Sequence, residues 1–245
     1  MKLIKNTLAT ICFLFTIISF SQKKCSLKDL TDDFILYNTS YFKIQNSDND
    51  LINLTDILLD KKFEFIGFIG NNKKRLNIIF NSIIRDSNDP TCYIIKGQST
   101  VKSTNLRLFK GDINVVSNYY FSKLDEDPMT SKESEQIIKQ GFSIAEFKLD
   151  EDSKFTATGV FKGYALIRWF VDKGNNIFYD RTQDDYDSYS NNQFLGTWTS
   201  YKTGKSSPVA WGQYRIPCSG DLDIGAAEFS PNEKYYKYGW ADYKP

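Results

Sequence analysis

Residues 155–171, FTATGVFKGYALIRWFV, decide the fold class. One parity of this stretch reads Phe155, Ala157, Gly159, Phe161, Gly163, Ala165, Ile167, Trp169, Val171, without a polar member. The other parity, which includes Thr156, Thr158, Lys162, Tyr164 and Arg168, is mixed, as on a wall that meets solvent. Period-two alternation marks a strand with one buried face. Fully extended, the stretch would reach roughly 56 Å, well beyond an ordinary strand. A bend or break is therefore expected at Gly159 and Gly163. Large side chains alternating with small ones along the buried face suit the tapering inside of a small barrel.

Neighbouring segments carry the same texture. Leu76, Ile78, Phe80 and Ile84 share one parity against Arg75, Asn77, Asn81 and Arg85, with Ile79 and Ile83 blurring the alternation. Tyr93, Ile95, Gly97 and Val101 then alternate with Lys96, Gln98 and Thr100, and Phe109, Gly111, Ile113 and Val115 with Lys110, Asp112 and Asn114. Turns at 87–90 and 172–175 (SNDP and DKGN) join such runs by short connections, as in an antiparallel meander. The expected fold is an all-β, up-and-down, lipocalin-like barrel of about 8–10 strands over residues 61–245. A two-sheet sandwich is the alternative. Short helices are expected at 131–139, opened by Thr130 and Glu133 and closed at Gly141, and at 231–238, opened by Ser230-Pro231 and closed at Gly239.

The N-terminus reads as an address. Lys2 and Lys5 precede a charge-free, mostly apolar run from Leu8 to Phe20, and Ser19-Phe20-Ser21 offers small residues before Gln22. That is the layout of a secretory signal peptide over 1–21, and the run is too short for a comfortable membrane span. An exported protein, periplasmic or secreted, is expected, with no transmembrane segment in the mature chain. Residues 22–60 form an arm with a short helix capped by Ser26, carrying Leu27, Leu30 and Phe34 on one side, and a further helical turn at 56–59. These residues are read as a lid, plug or arm on the barrel.

Composition excludes several chemistries. The chain has no histidine, so Ser-His-Asp or Cys-His triads and His-based zinc sites cannot form within it. The whole chain has 31 Lys+Arg against 30 Asp+Glu. Losing residues 1–21 removes two lysines and no acid, leaving a net charge of −1. A near-neutral mature chain gives no overall footprint for nucleic acid or an anionic membrane, and neither is expected as a partner. Cys12 leaves with the signal peptide. Of Cys25, Cys92 and Cys218, the preferred disulfide is Cys92–Cys218, with two unconnected thiols as the alternative.

The densest run of unusual residues is Phe194 to Asp223. Asp221, Asp223 and Glu228 are candidates for paired catalytic carboxylates of glycoside hydrolysis, with Trp198, Trp211 and Trp240 as sugar platforms. The competing reading makes Ser219-Gly220-Asp221 a turn whose carboxylates accept backbone and Arg215 hydrogen bonds, and this is preferred. Asp180, Asp184, Asp185 and Asp187, interleaved with tyrosines, form an oxygen-rich loop without a recognisable calcium spacing, read as solvated. No cofactor or metal is expected.

Gly196-Thr197-Trp198 resembles the G-x-W feature of lipocalin-like barrels, in which the Trp packs across one barrel end beneath a basic residue. That resemblance implies Arg215 or Arg168 over the Trp198 indole. The stretch from about Phe63 to Trp240 also resembles a set of exported bacterial proteins without assigned activity. The residues that carry it are FxGTWTSYKTGK at 194–205, WGxYRIP at 211–217 and DLDIGA at 221–226, followed by Glu228-Phe229. It implies a small secreted β-barrel and no catalytic residue. The leading functional expectation is an exported, non-enzymatic binding or interaction protein. Its partner is a small apolar ligand held inside, or a cell-envelope partner met by the loops. The candidate surface is Trp198, Trp211, Tyr214, Arg215, Asp221, Asp223 and Glu228. A carbohydrate-active enzyme using the three carboxylates is the alternative.

Overall fold

The computed structural model describes residues 25–35, 41–43, 52–59, 64–124 and 136–244. The signal-peptide segment lies outside the described residues, as does most of the expected helix at 131–139. In chain order the elements are α1 (Leu27–Ile35), β1 (Tyr41–Lys43), α2 (Thr55–Leu59), β2 (Phe65–Ile69), β3 (Lys74–Arg85), β4 (Cys92–Val101) and β5 (Thr104–Phe121). Then follow β6 (Ile137–Glu151), β7 (Gly159–Asp172), β8 (Ile177–Tyr179), β9 (Asn191–Ser200) and β10 (Ser206–Gln213), with 3₁₀ turns at Gly220–Leu222 and Glu233–Tyr238.

Strands β2, β3, β4, β5, β6, β7, β9 and β10 pair in that order, all antiparallel, and β10 returns to β2 through Val209↔Ile69 to Gly212↔Ile66. This is a closed eight-stranded up-and-down barrel, and closure removes the free edges a two-sheet sandwich would keep. β1 adds to β5 and β8 to β7 outside the ring.

The break expected in 155–171 falls before Gly159, where Ala157 adopts a left-handed φ of 56°. Gly163 stays in the strand, paired with Gly196, and a Cβ on Gly163 would come within 2.0 Å of the Leu195 carbonyl. These two glycines let β7 and β9 approach closely where no side chain fits. Gly97 makes room inside: a Cβ there would lie 2.6 Å from the Phe109 ring.

Two expectations are corrected by the strands. Ile84 was placed with the buried parity of β3, but a bulge between Phe80 and Ser82 shifts the phase, so Ile83 turns inward and Ile84 is 61% exposed. Residues 137–139 of the helix expected at 131–139 belong to β6, and Gly141 pairs with Tyr120 and Trp169 rather than ending a helix. The apolar alternation that continues through Ala145, Phe147 and Leu149 lies on the barrel-core face, pairs with strands on both sides and overrides local capping signals. Near the C-terminus the 3₁₀ turn is capped by Asn232, whose side chain accepts the Lys234 amide, and closed by left-handed Gly239.

Aromatic rings fill the barrel. Phe194 stacks on Trp211 at 5.0 Å and 11°, and Phe65, Phe80, Phe147 and Phe161 meet this pair edge-on or tilted. The segment Ile52–Leu59 stops one end. Ile52, Leu54, Ile57 and Leu58 join the same core cluster. The Tyr93 hydroxyl holds the segment by donating to the Ile52 carbonyl (3.2 Å) and accepting the Leu54 amide (3.1 Å), while the Asn192 amide donates to the Ile57 carbonyl (3.2 Å). Burying four aliphatic side chains contributes about 1.5–3 kcal/mol each.

Outside the barrel, the tail after β10 covers β2, β10 and β9, packing Ile216, Leu222, Phe229 and Trp240 against Ile66, Phe68, Leu195 and Ala210. Leu30 of α1 packs on Phe142 and Leu166 of β6 and β7. Strands β3, β4 and β5 keep Ile79, Ile84, Ile94, Leu106, Leu108 and Val116 exposed.

Candidate functional site

The residues singled out in 194–228 divide between the barrel interior and the covering tail. Trp211 belongs to the interior: β10 points it inward, its side chain is fully buried, and its ring lies against Phe194. Trp240 is equally buried and donates its indole N–H to the Lys73 carbonyl at 2.7 Å. Neither can serve as an exposed sugar platform, because each is committed to a core.

Trp198, half-buried near the end of β9, does sit at a barrel end. Its indole N–H donates to Oε2 of Glu151 at 2.9 Å, and a Cβ on Gly159 would press on the same ring. The cation expected over this indole is not what the geometry provides: Trp198 is met by a carboxylate. Arg215 is turned to the tail, and Arg168 lies 5.3 Å from the Tyr189 ring at the opposite end.

Arg215, just past β10, is a clamp. Its guanidinium donates to Asp223 Oδ2 (2.5 Å) and to the carbonyls of Gly225 (3.1 Å), Ala226 (2.9 Å) and Ala227 (2.8 Å). Asp223 also accepts the amides of Gly225 and Ser230 through Oδ1. Asp221 accepts Lys73 Nζ (2.8 Å), the Tyr235 hydroxyl (2.7 Å) and Lys234 Nζ. Burial pushes the Lys73 ammonium below its ordinary range, so the Asp221 contact offsets a desolvation cost. Glu228 is exposed on the loop that Arg215 holds. Thus Arg215, Asp221 and Asp223 come together with the tail, and their chemistry fastens that tail to the barrel wall.

Tyr214 belongs to a second cluster at the plugged end. It adopts a left-handed φ of 65°, packs edge-on to Tyr189 at 4.8 Å, and its hydroxyl is 3.4 Å from Asp184 Oδ2. Asp180, fully buried, pairs with Arg168 at 3.4 Å and caps Thr182, while its carbonyl accepts the Tyr189 hydroxyl and the Asn191 amide. Burial holds the Asp184 carboxyl above its usual range, with Asp185 adding to it. Among the described residues no group of three Cys, Asp or Glu side chains is placed to hold a metal ion.

The expected Cys92–Cys218 disulfide is corrected: Cys25 pairs with Cys218, at a Cα–Cα separation of 6.3 Å, and Cys92 is free. Cys92 opens β4 on the bare wall, opposite Asn114, whereas Cys218 sits in the tail over β2 and β10. The start of α1 reaches that same tail cluster. Burial, reinforced by Asp112, Asp86 and Asp89, pushes the Cys92 thiol up.

Glu151 was not singled out from sequence, yet it is the most unusual carboxylate here. It faces inward at the end of β6, 6% exposed, accepting Ser99 Oγ (2.6 Å), the Gly159 amide (2.9 Å) and the Trp198 indole. The available signal was its parity with Phe147 and Leu149, an acid in an otherwise apolar series.

Fold and site together define a filled and plugged eight-stranded barrel with a fastened tail, an architecture consistent with a binding protein. Comparison of the chain with protein-family models, curated proteins and solved structures found no match and identifies no family. Among the described residues no helix is long and apolar enough to cross a membrane.

Proposed function

We propose that this is an exported, non-enzymatic interaction protein that meets a cell-envelope partner through its turns and outer wall. The packing of the interior carries this reading: the stacked Phe194–Trp211 pair and the Ile52–Leu59 plug occupy the space in which a small apolar ligand would sit. The Cys25–Cys218 disulfide supports export, since such bonds persist in oxidising compartments. The carboxylates of the tail work as acceptors for Lys73, Arg215 and backbone amides, which favours a structural role over glycoside hydrolysis.

The test is native mass spectrometry of gently isolated protein, with thermal shifts against lipids, haem and sugars. The expected spectrum is the processed chain with one disulfide and no retained small molecule. A stoichiometric apolar ligand, or glycan hydrolysis lost in Asp221→Asn or Asp223→Asn without loss of folding, would overturn the reading.

A further inference from the structure

The near-neutral net charge conceals a concentration of exposed lysines at one end of the barrel. The β2–β3, β4–β5, β6–β7 and β9–β10 turns all lie at the end opposite the plug, as the alternation of an up-and-down barrel requires. Direct contacts join them into one rim: the Lys102 amide donates to the Arg75 carbonyl (3.0 Å), the Arg107 guanidinium to the Thr156 carbonyl (2.9 Å) and the Tyr201 amide to the Thr158 carbonyl (3.1 Å). Lys74, Lys102, Lys154, Lys202 and Lys205 are exposed on these turns. Of the acids there, Glu151 is buried, Asp152 accepts the Lys154 amide, Asp221 pairs with Lys73 and Asp242 with Arg75. The plugged end is mixed, with Asp86, Asp89, Asp172, Asp184, Asp185 and Asp187 on its connections beside Lys123, Lys173 and Arg181.

The basic rim also exposes apolar side chains. Leu106 and Phe155 are each 50% exposed and Tyr201 44%, with Phe155 lying 5.6 Å from the Arg107 guanidinium. Leu106 and Leu108 continue the rim into the bare wall of β3–β5, where Lys96 and Lys110 stand opposite one another. Lys110 also faces Asp150 on its other neighbour, β6, which offsets this like-charge pairing.

We propose that the rim docks on the surface of an anionic phospholipid bilayer. The lysines meet headgroup phosphates, Leu106 and Phe155 enter the boundary with the acyl chains, and Tyr201 sits at headgroup level. The leucines choose lipid over a dissolved polyanion, since an aliphatic side chain gains by burial among acyl chains and offers no stacking face to a base or sugar. The proposal deepens the interaction reading above by naming the partner.

Vesicle co-sedimentation of the exported, processed protein tests it, using phosphatidylcholine alone and a phosphatidylcholine–phosphatidylglycerol mixture. Binding is expected to the mixture only and to weaken with salt. The K154E/K202E/K205E variant should lose about 100-fold in affinity. The L106S/F155S variant should lose about tenfold while keeping its salt dependence. All these side chains are exposed, so melting temperatures should stay near that of the parent, and the variants share one N-terminus, which isolates the rim. Absence of binding to the mixture, or binding indifferent to the lysine reversals, overturns the membrane assignment. So does lysine-dependent binding to heparin that ignores Leu106 and Phe155 and is stronger than vesicle binding. Such failures leave the native mass spectrum, on which the broader reading stands, unchanged.

Discussion

Among the described residues, Glu151 accepts from the Ser99 hydroxyl, the Gly159 amide and the Trp198 indole. Three neutral donors converge on one carboxylate, so its charge is what organises them. Glu151→Leu should therefore destabilise the protein by about 1–3 kcal/mol, because the Gly159 amide, the Trp198 indole and the Ser99 hydroxyl lose their acceptor. Denaturant titration reads this directly. A more stable Glu151→Leu protein would mean that the cost of burying the carboxylate outweighs its donor set. The Trp198 position was legible from Gly196-Thr197-Trp198, whereas its partner was not: Glu151 lies 47 residues away and meets it only because β6, β7 and β9 are neighbours.

At the scale of elements, the plug and the disulfide have separate effects. Leu54 is fully buried at the plugged end, so Leu54→Ala should cost about 2–5 kcal/mol through lost burial and the void left behind. A loss well under that range would show that the plug is only loosely seated. The Cys25–Cys218 bond spans 193 residues of chain, and its removal in Cys25→Ser should lower stability by about 2–5 kcal/mol. Peptide mapping under non-reducing conditions should then recover Cys92 as the only alkylated cysteine in the parent, at a slow rate because its thiol is pushed up. The helix start at Ser26 was readable, since Ser26 and Asp29 bond reciprocally within three residues. The disulfide was not, because pairing depends on where α1 lands against the tail. The 131–139 helix misread its last residues, since capping signals are local and β6 pairing is not.

For the molecule as a whole, buried phenols set an alkaline limit. Burial pushes Tyr179 and Tyr189 well above the ordinary tyrosine range and raises Tyr93 too, so the native state keeps protons that the unfolded chain loses near pH 10. Groups raised in this way contribute stability that is complete below pH 10 and lost as pH rises above it. Each lowers stability by about 1.4 kcal/mol per pH unit there. Tyrosinate absorbance should accordingly rise in two stages, a simple titration of the exposed tyrosines and then a cooperative step as unfolding releases the buried ones. Gradual ionisation of all tyrosines in folded protein would contradict this.

The sequence by itself determined the class of fold, because period-two alternation with small residues at alternate inward positions is a local property that only a one-sided sheet can satisfy. It also determined what the chain cannot use chemically, since an absent histidine is absent in any conformation. Tertiary structure alone decided that the barrel closes from β10 to β2, that residues 52–59 plug it, that Cys25 and not Cys92 meets Cys218, and that Asp221 and Asp223 are taken up in fastening the tail. It also decided that five dispersed lysines form one rim. Each of these depends on which distant segments become neighbours, and that follows from closure of the ring rather than from any single stretch of residues.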